Sequence, residues 1–209
     1  GDTNAQLKLG IIYKNGSDTA EDYTQSFYWY KKVAEQGDAV AQLNIGIMYE
    51  YGKGVSEDYS QAAFWYKKSA EQGHSEAQAS LGWFYLHGKG VELDYTKAIE
   101  WYKKAAEQGY TSAQLSLGEI YKNGKGIPED YTQSFYWYKK VAEKGDSSAQ
   151  YNLGLMYEYG KGTPEDYTQA VQWYKKAAEQ GDTKAQLNLA LMYKYGTGVS
   201  EDYSQAVFW

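Results

Sequence analysis

The sequence lacks cysteine and arginine altogether, and it has two prolines and two histidines in 209 residues. Without cysteine, the chain cannot form disulfides, thiolate metal sites or a thiol nucleophile, and a reducing compartment such as the cytoplasm is slightly favoured over export. Because all 21 basic residues are lysines, the planar guanidinium group that recognises phosphates and bases through paired hydrogen bonds is missing. We therefore expect no nucleic-acid partner.

Long apolar runs and catalytic motifs are also missing. No stretch approaches 18 apolar residues, so we expect no membrane insertion. His74 and His87 have no HExxH motif, serine elbow or nearby second histidine, so we expect no metal, no cofactor and no enzyme activity. The net charge of −6 is mild, and 43% hydrophobic with 17% aromatic residues indicates a chain that folds around a buried core.

What the sequence does contain is a repeat of 36 residues without insertion or deletion. Such a period predicts stacked supersecondary units instead of one globular core. We assign a single array over 1–209, with units 1–36, 37–72, 73–108, 109–144, 145–180 and 181–209. The last unit stops at Trp209 inside its second helix, so we expect both chain ends to be processing or fragment boundaries. We also expect end-to-end self-association through the apolar end of that unit.

Each unit predicts two helices and no strand. We expect the first helix to begin at a serine or threonine cap and to carry a glutamine three residues later, which together would form a capping box. Asp38 replaces that cap in the second unit, and a glycine such as Gly52 ends the helix. The predicted caps are Thr3, Ser75, Thr111, Ser147 and Thr183, with Gln6, Gln78, Gln114, Gln150 and Gln186. The second helices are capped by Asp22, Asp58, Asp94, Asp130, Asp166 and Asp202, with a glutamine such as Gln25 at the box position.

These motifs resemble the SEL-1-like repeat family, a relative of the tetratricopeptide repeat. One copy of the pattern is Ala149, Leu153, Gly154, Tyr157, Gly160, Gly162, Asp166, Ala170, Trp173, Tyr174, Ala177, Ala178 and Gly181. The resemblance covers the whole chain and implies an all-α fold, a right-handed α/α superhelical solenoid of helix-turn-helix repeats. It also implies a role as an adaptor in protein complexes. Some cysteine-rich bacterial members have been linked to β-lactam binding, but this chain has none of those cysteines.

The copies differ most on one face of the first helices, which we call the variable face. Tolerated drift on a solvated face would favour lysine and glutamate, yet this face keeps isoleucine, leucine, tryptophan, tyrosine and asparagine. That composition is typical of a recognition surface, and the resemblance implies that the first helices line a concave groove. The predicted partner-binding residues are Asn44, Ile47, Tyr51, Ser80, Trp83, His87, Glu119, Asn123, Asn152, Leu155, Tyr159, Asn188, Leu191 and Tyr195. We expect binding to centre on the third unit, where Trp83, Phe84 and His87 depart most from their counterparts.

Two functions fit this surface. The first is a non-enzymatic scaffold that binds a peptide or partner protein in the groove. The second is binding of a glycan or cell-wall ligand by stacking on the same aromatic residues, and weak hydrolase activity is not expected. The titratable residues Glu50, Glu119 and Glu158 are too far apart along the array to converge on a reacting group. Lysine pairs such as Lys31-Lys32 are explained by the helix dipole in preference to an anionic-ligand groove.

Overall fold

A computed structural model describes residues 2–16 and 22–209, and within these ranges the chain forms twelve α-helices and no strand. The helices are α1 (Thr3–Asn15), α2 (Tyr23–Glu35), α3 (Ala39–Tyr51), α4 (Tyr59–Glu71), α5 (Ser75–His87), α6 (Tyr95–Glu107), α7 (Thr111–Asn123), α8 (Tyr131–Ala142), α9 (Ser147–Glu158), α10 (Tyr167–Glu179), α11 (Thr183–Tyr195) and α12 (Tyr203–Phe208). Consecutive pairs form repeats 1 to 6, from α1–α2 to α11–α12. The predicted all-α fold of 36-residue helix pairs is therefore confirmed. No helix in the described ranges is both long and apolar enough to cross a bilayer.

The 36-residue copies are called repeats from here on. They group into two larger compact parts of the chain, residues 1–110 and residues 111–209, which are called the first unit and the second unit. In the first unit, each first helix packs on the second helix of its own repeat, and α2 and α4 also pack on the first helix of the next repeat. The second unit shows the same pattern, with α8 on α9 and α10 on α11. Since the main contacts of each helix are with the helices next to it in the sequence, the hydrophobic core is distributed along each unit.

The cores lie at the junctions between consecutive repeats. Between repeats 2 and 3, Leu43, Tyr66, Leu81 and Phe84 are buried together, and the rings of Tyr66 and Phe84 meet edge to face at 5.2 Å. In the second unit, Tyr174 and its neighbours in α10 and α11 form the equivalent core. Burying a large side chain contributes about 1.5–3 kcal/mol, so the rings at these junctions supply much of the stability of each unit.

Apart from α3, whose predicted cap Asp38 is confirmed, the first helices begin one residue earlier than predicted. Asp38 caps α3 by accepting a hydrogen bond from the backbone N–H of Ala41 at 2.7 Å. Aspartate is as good a cap as serine, and where it precedes the serine or threonine it takes that role. The predicted caps Thr3, Ser75, Thr111, Ser147 and Thr183 are instead the first residues of their helices. The aspartates that cap first helices are Asp2, Asp38, Asp146 and Asp182.

The glutamines predicted to complete those capping boxes join repeats instead. Gln42, at the same position of repeat 2 although it was not among the predicted boxes, shows the arrangement: it is buried, and its Nε2 donates to the carbonyl oxygen of Ala34 in repeat 1 at 3.1 Å. Gln72 then donates to Oε1 of Gln42 at 2.7 Å, so the buried amide acts as both donor and acceptor. Three other glutamines donate to an alanine carbonyl oxygen in the same way: Gln78 to Ala70, Gln150 to Ala142 and Gln186 to Ala178. The side-chain oxygen of Gln6 accepts from Gln36, and that of Gln114 accepts from Lys144.

The predicted aspartate caps of the second helices are confirmed, but their boxes are not reciprocal. Asp58 accepts from the backbone N–H groups of Ser60 and Gln61. Its own N–H donates to the carbonyl oxygen of Tyr49 at 2.9 Å and not to a glutamine side chain. The same backbone bond joins Asp22 to Tyr13, Asp94 to Tyr85, Asp130 to Tyr121, Asp166 to Tyr157 and Asp202 to Tyr193. It closes the loop between the two helices of a repeat.

Two rows of glycine allow close packing at different places. A Cβ atom added at Gly46 would lie 2.6 Å from Cδ1 of Tyr66, so the helical glycine seats the tyrosine of its own repeat. Gly118 of the same row likewise lies against Tyr138 of its own repeat, so this row allows a close approach within a repeat and not between stacked repeats. The approach between repeats occurs instead at the loop glycine Gly54, with φ of +71°, where an added Cβ would lie 2.0 Å from the carbonyl oxygen of Tyr23.

The last described helix, α12, has six residues. Trp209 packs on the core of α10 and α11, as the position of the repeated tryptophan predicts. Val207 is 88% exposed and Phe208 is 72% exposed. The expected end-to-end self-association stays a prediction.

Candidate partner-binding grooves

The variable face is solvent-accessible at all of the predicted positions. Tyr51, Trp83, His87, Glu119, Asn123, Tyr159, Leu191 and Tyr195 are exposed, and Asn44, Ile47, Ser80, Asn152, Leu155 and Asn188 are half-buried. Ile47 and Leu155 pack against the edge of a core, whereas the fully buried positions of the first helices are other residues, such as Leu43 and Leu81. The face is therefore free to contact a ligand, and its partner-binding role stays a prediction.

In the first unit, part of the variable face lines an open groove of about 470 Å³ between α3 and α5. We call it the Trp83 groove. It brings together four predicted residues, Ile47, Tyr51, Ser80 and Trp83. Its other lining residues are Glu50, Tyr66, Glu76 and Phe84. Asn44 and His87 do not line it, and Asn44 accepts a hydrogen bond from Lys14 at 3.0 Å.

Trp83 is held in place without being buried. The ring of His87, one helical turn later, stacks on the indole at a centroid distance of 4.4 Å and an angle of 30°. Nδ1 of His87 also lies 2.9 Å from the carbonyl oxygen of Trp83. The indole stays 38% exposed while it meets the buried Phe84 ring edge to face at 5.6 Å. His87 therefore has a positioning role, and Phe84 is part of the core below the groove.

A carboxylate lies between two tyrosines at the floor of the groove. The hydroxyl of Tyr66 donates to Oε2 of Glu50. Burial, followed by this hydrogen bond, raises the pKa of Tyr66 well above its ordinary value, so the hydroxyl stays protonated and remains a donor. The charge of Glu50 is also the main cause that raises the pKa of the exposed Tyr51. Tyr66, a residue of the same repeat, thus holds the carboxylate of Glu50 in place at the floor of the groove.

The prediction missed Glu50, Tyr66 and Glu76 as groove residues. A signal was present for the first, because the copies change charge at this position: Lys14, Glu50, Leu86, Lys122, Glu158 and Lys194. Glu76 lies in the first turn of α5 and looks like an ordinary solvated residue in the sequence. Only the packing of α5 beside α3 places it in the same groove as Glu50.

The second unit has its own groove of about 470 Å³ on α9 and α11, which we call the Lys184 groove. It contains the predicted residues Asn152 and Leu155, and Lys122 donates to Oδ1 of Asn152 at 3.0 Å. A smaller pocket of about 170 Å³ beside it adds Tyr159. The Lys184 groove is also lined by Ser148, Tyr151, Gly181, Asp182 and Thr183. Glu119, Asn123, Asn188, Leu191 and Tyr195 line neither the two grooves nor the smaller pocket.

The tyrosine–glutamate pair recurs beside this second groove. The hydroxyl of Tyr174 donates to Oε2 of Glu158 at 2.5 Å, and burial followed by this bond raises the pKa of Tyr174. The pair therefore occurs in both repeat 2 and repeat 5, in which residues 48–54 and residues 156–162 have the same sequence.

The Sel1 repeat family matches residues 3–38, 39–74, 75–110, 111–146, 147–182 and 183–209. The chain belongs to the Sel1 repeat family. Among solved structures it is similar to c5321, a protective antigen of uropathogenic Escherichia coli strains with an SLR fold. The two are 43% identical with a TM-score of 0.92, over 99% of this chain and 44% of that one.

A Sel1 repeat protein from Oxalobacter formigenes is 35% identical with a TM-score of 0.80, over all of this chain and 83% of that one. This Sel1 repeat chain thus spans less than half the length of the E. coli antigen. Among curated protein sequences, no significant match was found. Sel1 repeats generally mediate protein–protein interaction on a non-catalytic scaffold.

The lysine pairs of this Sel1 repeat chain do more than complement the helix dipole. The second lysine of each pair lies in the last turn of its helix or beside it, as predicted, and also over an aromatic ring of the same helix. Lys104 lies 4.0 Å from the centroid of Trp101, and Lys176 lies 3.9 Å from that of Trp173. Cation–π contacts of this kind also place Lys32 over Trp29 and Lys68 over Trp65, whereas Lys140 lies over Tyr136. In the described ranges, no group of three or more histidine, aspartate or glutamate residues could hold a metal ion.

Proposed function

We propose that this Sel1 repeat protein is a non-catalytic scaffold that binds an extended segment of a partner protein in the Trp83 groove. The observation that carries the proposal is the exposed pair Tyr51 and Trp83 on either side of an open groove. Tryptophan and tyrosine dominate the binding energy of protein interfaces when a partner covers them. The stacked His87 supports this role, because an indole already held in one orientation loses little entropy on binding.

Glycan binding is the competing function, since tryptophan and tyrosine also stack on sugar rings. The groove offers two carboxylates beside its aromatic residues, which suits a peptide with polar side chains at least as well as a sugar. We therefore propose a peptide ligand first and treat a glycan as an outcome of the test.

The test is selection of a library of random twelve-residue peptides on the immobilised protein, with a glycan array run in parallel. Trp83→Ala should weaken the selected peptides at least ~30-fold, as truncation of a central aromatic residue does. The matched control is Leu187→Ala, an exposed leucine of α11 outside the variable face, which should leave binding unchanged. Both variants should keep the helicity and melting temperature of the parent.

Three outcomes would contradict the proposal. Peptides that bind Trp83→Ala as well as the parent would place the site elsewhere. Glycans that bind in a Trp83-dependent manner, with no peptide selected, would favour the competing function. A stability loss of about 3 kcal/mol or more in Trp83→Ala would show that Trp83 is a core residue.

A further inference from the structure

The Trp83 groove carries charge of one sign. Glu50 and Glu76 are the charged residues among those that line it. Among the described residues, neither Glu50 nor Glu76 forms an ion pair with a lysine. Two carboxylates that share a groove without a counter-ion favour a ligand that brings a positive charge.

The aromatic residues of the groove favour the same ligand. A cation is attracted to the face of an aromatic ring, most strongly to tryptophan. Elsewhere on the chain this contact is used repeatedly, with lysines over Trp101, Trp173 and other aromatic rings. No lysine of the described residues lies over Trp83, although it is exposed beside the two carboxylates. The groove therefore presents both contacts that a cationic side chain makes, and the chain itself fills neither.

We propose that the Trp83 groove binds a lysine or arginine side chain of the partner, with Glu50 and Glu76 as its anionic contacts and Trp83 as its aromatic contact. This inference rests on the proposed function, since it names the residue of the bound segment that the groove selects. Glu50 is kept in position by Tyr66, whereas Glu76 makes no side-chain hydrogen bond to the protein among the described residues. Glu76 can therefore be changed without disturbing the floor of the groove.

The second unit provides the comparison that makes the inference specific. In the register of the repeats, Glu50 and Tyr51 correspond to Glu158 and Tyr159, but Glu76 corresponds to Lys184. The charge at this position is therefore opposite on two similar surfaces. A basic ligand should prefer the Trp83 groove, and the lysine at position 184 should repel it from the other.

The experiment uses the full chain labelled with ¹⁵N and follows the indole N–H signal of Trp83, assigned with Trp83→Phe. The probe is acetyl-Gly-Arg-Gly-amide, and the neutral control probe is the same tripeptide with citrulline in place of arginine. We expect the arginine probe to shift the Trp83 signal in a saturable manner and the citrulline probe to bind at least ~10-fold more weakly. Added salt should weaken the arginine probe, because part of this attraction is screened.

Variants at the exposed carboxylate complete the test. Glu76→Gln should weaken the arginine probe several-fold, and Glu76→Lys should weaken it at least ~10-fold. Lys184→Glu, the matched change in the second unit, should leave the Trp83 signal and its titration unchanged. Equal binding of the two probes, or unchanged binding to Glu76→Lys, would overturn the inference.

Failure of this inference can be told apart from failure of the proposed function. If selected peptides require Trp83 but keep their affinity when their lysines and arginines are replaced by glutamine, the groove binds peptides without selecting a basic residue. If no peptide requires Trp83, both proposals fail.

Discussion

The surfaces of repeats 2–3 and repeats 5–6 are built on the same scaffold but differ on one side. Repeats 2 and 5 both supply a glutamate held by a buried tyrosine and an exposed tyrosine next to it in the sequence. Repeats 3 and 6 differ, with Glu76, Ser80 and Trp83 in one and Lys184, Asn188 and Leu191 in the other. The residues that hold the helices in place are thus repeated, whereas the residues that face a ligand are changed. Specificity can be altered on a single helix without redesign of its neighbour.

The largest effect should come from the shared scaffold. An added Cβ would lie 2.6 Å from the tyrosine ring at both Gly46 and Gly154. We expect Gly46→Leu or Gly154→Leu to destabilise its own unit by about 3 kcal/mol, the upper part of the range for overpacked cores. Hydrogen exchange resolved along the chain measures this directly.

Protection should fall mainly in residues 1–110 for the first variant and mainly in residues 111–209 for the second, since stability in repeat proteins depends on neighbouring contacts. A loss of protection that is uniform over both units would contradict this independence. Gly73→Ala is a poor control because its backbone has φ of +91°, so the parent chain is the proper reference.

A transfer of the groove residues should have the next largest effect. The double variant Lys184→Glu and Leu191→Trp places the side chains of repeat 3 on repeat 6. If the two scaffolds are equivalent, it should bind the arginine tripeptide at least ~10-fold more tightly than the parent does in the second unit, or about 1.4 kcal/mol. The new tryptophan indole signal reports the binding. Leu191→Trp alone serves as the control, and no gain in the double variant would show that the scaffolds differ in more than these residues.

The smallest effect concerns the start of α5. His74 occupies the cap position but makes no capping hydrogen bond, and its buried Nδ1 has no partner in the described structure. At the equivalent position Asp182 caps α11 by accepting from Ala185 at 2.9 Å. We expect His74→Asp to stabilise the first unit by about 1 kcal/mol and Asp182→His to destabilise the second by a similar amount.

Hydrogen exchange at increasing urea concentration measures both changes in the free energy of unfolding. The essential result is that the two changes in stability have opposite signs, because the two variants exchange histidine and aspartate at equivalent positions of the repeat. If His74→Asp fails to stabilise, the histidine makes a favourable contact that a cap does not replace.

Most of the fold could be predicted from the sequence because the six copies agree. The 36-residue spacing places the helices, the aspartates of the second helices are caps in every copy, and the left-handed glycine ends such as Gly52 follow from residue type. Asp38 was assigned correctly, but the caps of α1, α9 and α11 were misassigned, because an aspartate and the serine or threonine after it are both good caps. Gln78 was misassigned because its true acceptor, the carbonyl oxygen of Ala70, belongs to another repeat. Local patterns do not contain that contact.

The candidate site was predictable only in part. Variation among copies pointed to Ile47, Ser80 and Trp83, which the structure brings into one groove. The copies also differ at the position of Glu76, but an exposed glutamate at the start of a helix is ordinary, and its importance depends on the distance to another helix. Periodicity identifies which residues face outward, whereas the meeting of two outward faces requires the packing itself.

The glutamine bond between repeats has a consequence for how such a chain can change its length. Gln42, Gln78, Gln150 and Gln186 donate in the same way to the alanine carbonyl eight residues earlier. Because these junctions are interchangeable, a whole 36-residue copy could be inserted, deleted or shuffled without leaving a buried amide unpaired. Reordering the copies would then place different first helices side by side. New grooves could arise by recombination of existing parts, before any single residue is substituted.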